Sequence, residues 1–144
     1  MRAVCQRVSE ARVRVDDVVR GEIETGLVVL VGIARGDAAV DAERLAGKIA
    51  RLRIFPDDGG KFDRSVVDVG GAALVVSQFT LIADTRKGNR PSFVDAAPPE
   101  EAEPLYEELC KALCREGVPV ETGIFGALMA LELVNDGPVT IVLG

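Results

Sequence analysis

The sequence predicts a single mixed α/β domain spanning residues 1–144, and three observations carry that expectation. The run Leu27–Ile33 is apolar on both faces and rich in β-branched residues, which suits a central strand covered on both sides. Ala72–Val76 reads as a second buried strand. Two segments of helical periodicity lie between and after them, and strands interleaved with helices in a chain of this length make one layered domain.

Each element follows from local chemistry. Val13 and Val15 alternate with Arg12 and Arg14, Asp16-Asp17 supplies a turn, and Val18-Val19 resumes a strand. After the central strand, Leu45, Ile49 and Leu52 recur at helical spacing, with Asp37 or Asp41 as the cap. Phe55-Pro56-Asp57-Asp58-Gly59-Gly60 is a dense turn signal that ends this helix. The second buried strand runs into the polar stretch Ser77-Gln78-Phe79-Thr80. Pro98-Pro99-Glu100-Glu101 opens the second helix, with proline at its start and acids where the macrodipole favours them. Leu105, Leu109, Ala112 and Leu113 form its apolar face, and Gly117 stops it. Three short segments finish the chain: Val118–Thr122, a strand with Met129, Leu131 and Leu133 on one face, and Val139–Leu143. Asn135-Asp136-Gly137-Pro138 separates the last two.

Composition narrows the chemistry. The chain contains no histidine, which excludes a Ser-His-Asp triad, a Cys-His pair, an imidazole base and a His-based zinc site. Its three cysteines, Cys5, Cys110 and Cys114, are scattered without a CxxC motif and point to a reducing compartment. Cys110 and Cys114, four apart on a helix, read as small buried apolar side chains rather than metal ligands, and neither metal nor cofactor is expected. No secretory leader pattern opens the chain. Its longest apolar run, Leu27–Ala34, falls far short of the ~20 residues of a membrane span, so a soluble, cytoplasmic protein is expected.

The net charge of −6 is unevenly spread. Residues 1–90 carry 15 Lys/Arg against 13 Asp/Glu, whereas residues 91–144 carry 2 against 10. A broad basic face for nucleic acid is therefore absent, and only a local patch is on offer, Arg86, Lys87 and Arg90. Its plain alternative is a solvated loop.

Two further stretches have chemical potential. Ser77–Thr80 collects hydrogen-bonding groups where a buried strand ends, which is where α/β folds place ligands. Side chains and backbone N–H groups that have left the ladder could there donate to a carbonyl oxygen or oxyanion, or could simply satisfy the strand end. Gly137-Pro138 is a turn, or a rigid wall of outward-facing carbonyls without side chains; the local residues leave both readings open.

The residues also resemble a known family, the bacterial D-aminoacyl-tRNA deacylases, from Met1 to the end of the chain. The matching stretches include Met1-Arg-Ala-Val4 with Gln6–Ser9, Leu52–Phe55, Asp68–Gly71, Ser77–Leu81, Ala83–Gly88 with Arg90–Phe93, Asp95–Pro99 and Asn135–Thr140. Several long motifs in the correct order make this resemblance specific. It implies a barrel-like mixed sheet with two main helices, and an editing enzyme that hydrolyses the ester between a D-amino acid and the 3′ end of tRNA without a cofactor. It places Ser77, Gln78, Phe79 and Thr80 in the active site. It makes the Gly137-Pro138 bond cis and inserts it into the partner's pocket of a homodimer. Phe125 and Met129 match further pocket residues, and Arg7 matches a residue beside the Gly-Pro motif.

The resemblance accounts for catalysis without histidine, because the vicinal 2′-hydroxyl of the tRNA can orient or activate the attacking water. A carbonyl wall that excludes L side chains would admit glycine, so glycyl-tRNA, including that mischarged on tRNA(Ala), is an expected substrate. Two positions depart from the family pattern: Leu128 stands where an acid is usual, and Ile124 where a polar residue is usual. Leu128 is expected to pack in the core or in a dimer interface. The competing readings are a non-catalytic RNA-binding module, and a related deacylase with a trans Gly-Pro bond and relaxed chirality.

Overall fold

One long strand organises the molecule, whose computed structural model describes residues 1–144. In chain order the elements are β1 (Arg2–Val15), β2 (Val18–Ile23), β3 (Gly26–Gly32), α1 (Ala39–Arg51), β4 (Phe55–Pro56), β5 (Phe62–Arg64), β6 (Ala72–Ser77), a 3-10 turn (Phe79–Leu81), α2 (Pro99–Arg115), β7 (Val120–Thr122) and β8 (Ala130–Leu143). Asp16 and Asp17, at φ 51° and 63°, reverse the chain in the left-handed region that aspartate tolerates better than most residues. β2 and then β3 return along one edge of β1, Val15 opposite Val18 and Arg2 opposite Gly32. β8 occupies the other edge, from Ala3 opposite Leu143 to Arg14 opposite Ala130.

The sheet then continues in parallel. β6 pairs β3, and β7 pairs β6, giving the order β2-β1-β3-β6-β7 with β8 on β1. Gly21 brings the far ends together: a Cβ there would stand 2.6 Å from the carbonyl oxygen of Thr122 on β7. The sheet therefore curls into a nearly closed barrel.

The two faces of β3 explain its continuous apolar sequence. Leu27, Val29 and Val31, with Ala73 and Val75 of β6, pack under α1 and α2 against Ile49, Tyr106, Leu109 and Leu113. Val28, with Leu74 and Val76, faces the barrel interior beside Val8, Val13 and Ile23. Full burial of a leucine such as Leu109 or Leu113 contributes roughly 1.5–3 kcal/mol through apolar area alone. No helix is long and apolar enough to cross a membrane.

Three local expectations are corrected. Neither Asp37 nor Asp41 is the N-cap of α1; Ala38 holds that position, and Asp41, one turn in, accepts its N–H at 2.8 Å. The two C-terminal strands are one, β8, because both halves find the same partner, β1. Its register slips between Thr140, opposite Gln6, and Asn135, opposite Val8, so Asp136–Val139 are extruded from the ladder. Cys114 is exposed, and Cys110, at the edge of the α2 face that packs against the main core, is only partly buried. The Phe55–Gly60 turn signal is real, and it joins the small β4–β5 hairpin; Asp57 Oδ1 accepts the N–H groups of Gly59 and Lys61, both at 2.9 Å.

Candidate active site

The parallel strand β6 delivers Ser77 to the end of the sheet, and the ladder stops one residue later. Gln78 makes a last backbone bond, its N–H donating to Val31 at 2.8 Å. The chain then winds into the 3-10 turn, whose opening N–H groups, those of Phe79 and Thr80, have no acceptor within the turn itself. Gly32 makes room for this turn, since a Cβ on it would lie 3.0 Å from the Gln78 carbonyl oxygen and 3.1 Å from the side chains of Leu81 and Ile82.

Ser77, Gln78 and Phe79 line a cleft of about 670 Å³, walled by Phe93, by the Ala96–Pro99 entry to α2, and by Phe125–Met129. Phe79 is half-exposed and meets Phe93 edge to face, with centroids 5.1 Å apart. Phe125 packs on Tyr106 at 5.7 Å, and the Tyr106 hydroxyl donates to the Val75 carbonyl at 2.7 Å. Burial holds the Tyr106 hydroxyl well above its ordinary pKa. The cleft thus combines a mostly apolar wall with a few polar groups at one end, the usual make-up of a small-molecule site.

The structure brings together only part of the expected site. Ser77, Gln78, Phe79, Phe125 and Met129 share the cleft. Thr80 does not line it; its hydroxyl accepts from Gln78 Nε2 at 2.5 Å. Leu128 is 96% exposed at the rim, so its expected place in the core of this chain is corrected: the 124–129 segment turns that side chain outward. Phe93 and Ala96–Pro99 were not among the expected site residues, and their apolar character in a loop is the signal that marks them.

Gly137, Pro138 and Arg7 lie elsewhere. The extruded 136–139 loop is exposed at Gly137 and Pro138, and their peptide bond is cis. Asn135 fastens its base: Oδ1 accepts the Val139 N–H at 3.2 Å and Nδ2 donates to Thr140 Oγ1 at 3.1 Å. Arg7, buried on β1, donates from Nε to the Asp136 carbonyl at 3.1 Å and from Nη1 to the Ile54 carbonyl at 2.7 Å. Gly137 sits at φ +126°, and a Cβ there would stand 3.1 Å from Arg7 Nη2, so the position demands glycine.

The three basic residues are not equivalent. The Arg86 side chain donates to both carboxylate oxygens of Asp84, at 3.0 and 2.7 Å, which pulls the Asp84 carboxyl down to about 2. Lys87 and Arg90 are exposed. Their loop is closed by the paired backbones of Asp84 and Ser92, one residue before Phe93 of the cleft.

Known proteins share both the sequence and the fold. A family model described as D-Tyr-tRNA(Tyr) deacylase matches residues 4–144. The D-aminoacyl-tRNA deacylase of Anaeromyxobacter dehalogenans is 62% identical over 143 residues, 99% of this chain and 96% of that one. The D-aminoacyl-tRNA deacylase of Ruegeria pomeroyi is 63% identical over 141 residues, covering 98% and 97%. Among solved structures, a c-Myc DNA unwinding element binding protein superposes with a TM-score of 0.94 at 41% identity, covering 100% of this chain and 98% of that one. A probable eukaryotic D-amino acid tRNA deacylase, at 18% identity and a TM-score of 0.83, shares the fold.

Proposed function

The chain belongs to the D-Tyr-tRNA(Tyr) deacylase family, hydrolases of the D-aminoacyl-tRNA ester, and from that premise we propose how its geometry performs and restricts the reaction. The observation that carries the reading is the strand-end turn Ser77–Thr80 opening on an apolar cleft. The aminoacyl ester lies with its carbonyl oxygen toward the N–H of Phe79 or Thr80, which stabilises the negative charge that develops on that oxygen. Ser77 and Gln78 orient the ester, and Phe79, Phe125 and Met129 supply apolar contact.

Water attacks the carbonyl carbon, the bond to the ribose O3′ breaks, and the products are a free D-amino acid and tRNA. The ribose 2′-hydroxyl orients or activates that water, so no protein base is needed from a chain without histidine. Thr80 fits poorly as a nucleophile, because the Gln78 amide N–H occupies a lone pair of its oxygen and removes no proton.

Chiral selection rests on a second copy of the chain. The exposed Gly137-Pro138 loop, held on Arg7, reaches the neighbouring cleft in a homodimer and presents backbone where an L side chain would point. Gly137 and Pro138 take no part in the lining of their own chain's cleft, which supports this arrangement. Lys87 and Arg90 meet the tRNA phosphates beside the cleft, as expected for a cytoplasmic protein that grips only the end of its RNA. The deciding experiment incubates the protein with D-Tyr-tRNA and L-Tyr-tRNA and follows release of the amino acid. D-selective hydrolysis is expected, and equal rates would overturn the chiral reading. A monomer in sedimentation would overturn the shared site.

A further inference from the structure

We infer that the β4–β5 hairpin is a brace for chiral selection and that Phe62 is a positioning residue acting through Arg7. The inference rests on the reading of the Gly137-Pro138 loop as the wall against L side chains. Arg7 is a planar fork with acceptors on two separate segments: the Ile54 carbonyl, at the foot of the hairpin, and the Asp136 carbonyl, at the start of the loop. Those two bonds fix the guanidinium within its plane. Nε also stands 3.6 Å from the Asp136 carboxylate, and a support of a different kind comes from β5, where Arg7 Cζ lies over the ring of Phe62, 5.8 Å from its centroid.

The hairpin is itself anchored. Phe55 of β4 is buried in the main core, and Arg53 holds the strand opposite through the Asp63 carbonyl at 2.8 Å and the Asp63 carboxylate. The bond from Arg7 Nε to the Asp136 carbonyl, one residue before Gly137, passes a tilt of the guanidinium to the loop. Core, hairpin, Arg7 and loop thus form one mechanical chain. Phe62 is 55% exposed, so its ring contributes little to the core and can be removed without opening a cavity.

The test compares Phe62→Ala, Phe62→Tyr and Pro138→Ala in the full-length protein, with single-turnover rates on D-Tyr-tRNA and L-Tyr-tRNA. Loss of a partly exposed cation–π contact should let the L rate rise roughly two- to fivefold relative to the D rate in Phe62→Ala. Phe62→Tyr, which keeps the ring, should restore the native ratio, and Pro138→Ala should lose L-rejection more severely. An unchanged ratio in Phe62→Ala beside a lost one in Pro138→Ala overturns the brace alone. Equal falls on both substrates, with a lowered melting temperature, also overturn it, because they mark a merely structural residue. Retained L-rejection in Pro138→Ala overturns the loop reading, and the brace with it.

Discussion

The hydroxyl of Tyr106 donates to the backbone carbonyl of Val75 at 2.7 Å, tying α2 to the strand that ends two residues later at Ser77. The bond is buried, and Tyr106 also carries Phe125 of the cleft wall on its ring. Tyr106→Phe keeps the ring but removes the donor. Leaving a buried acceptor with one partner fewer costs about 1–3 kcal/mol, so thermal unfolding should move down by several degrees. A melting curve unchanged within a degree would show that the Val75 carbonyl is satisfied without Tyr106.

Alkaline conditions should destabilise the fold. Burial pushes the Cys5 thiol from 9.0 up to about 12, and the Cys110 thiol to about 11. Above pH 9 the unfolded chain loses these protons while the folded chain keeps them. The stability they contribute is complete below pH 9 and is lost as pH rises through about 11 and 12. The urea midpoint should therefore fall between pH 9 and 11, and Cys5→Ala should flatten that fall. An equally steep decline in the variant would assign it to other groups.

Thr80→Val should keep most of the D-Tyr-tRNA hydrolysis, within about threefold, if the backbone N–H rather than the hydroxyl serves the oxyanion. Valine retains the shape and the N–H while removing the oxygen that Gln78 contacts. Complete loss of turnover would revive the covalent alternative, and trapping of an acyl-enzyme would prove it.

Lys87→Glu and Arg90→Glu should raise KM for D-Tyr-tRNA with little change in kcat. Each lost phosphate contact should reduce the slope of log KM against log salt by about 1. Asp84→Asn frees Arg86 from its ion pair and should act in the opposite direction, lowering KM at low salt. Salt slopes identical to the native protein's would remove this loop from the RNA interface.

Glycyl-tRNA should be hydrolysed. Glycine has no side chain to meet the proposed Gly137-Pro138 wall, so selection by exclusion alone would have nothing to refuse. Refusal of Gly-tRNA at enzyme levels that clear D-Tyr-tRNA would mean that the D side chain is itself recognised.

Much of this molecule is legible in local pattern. The apolar runs announce β3 and β6, the Asp16-Asp17 turn announces the first hairpin, and Pro99 and Gly117 bound α2, because period, turn chemistry and capping depend on near neighbours. The same applies to Ser77–Thr80, where a buried strand visibly gives way to polar residues. The partner that each element chooses is not legible in this way. β8 reads as two strands because its extruded loop looks like a break until β1 is seen to pair with both sides of it.

Near-neighbour chemistry in the sequence thus accounts for the class of fold, the elements, the family resemblance and the turn that bears the polar groups of the cleft. Only contacts between distant segments set the curling of the sheet at Gly21. They also set the seating of Arg7 between Ile54 and Asp136. Arg7 stands 47 residues from one acceptor and 129 from the other. Contacts across such separations are set by which faces the sheet buries and where the chain returns, and no local rule of spacing encodes that.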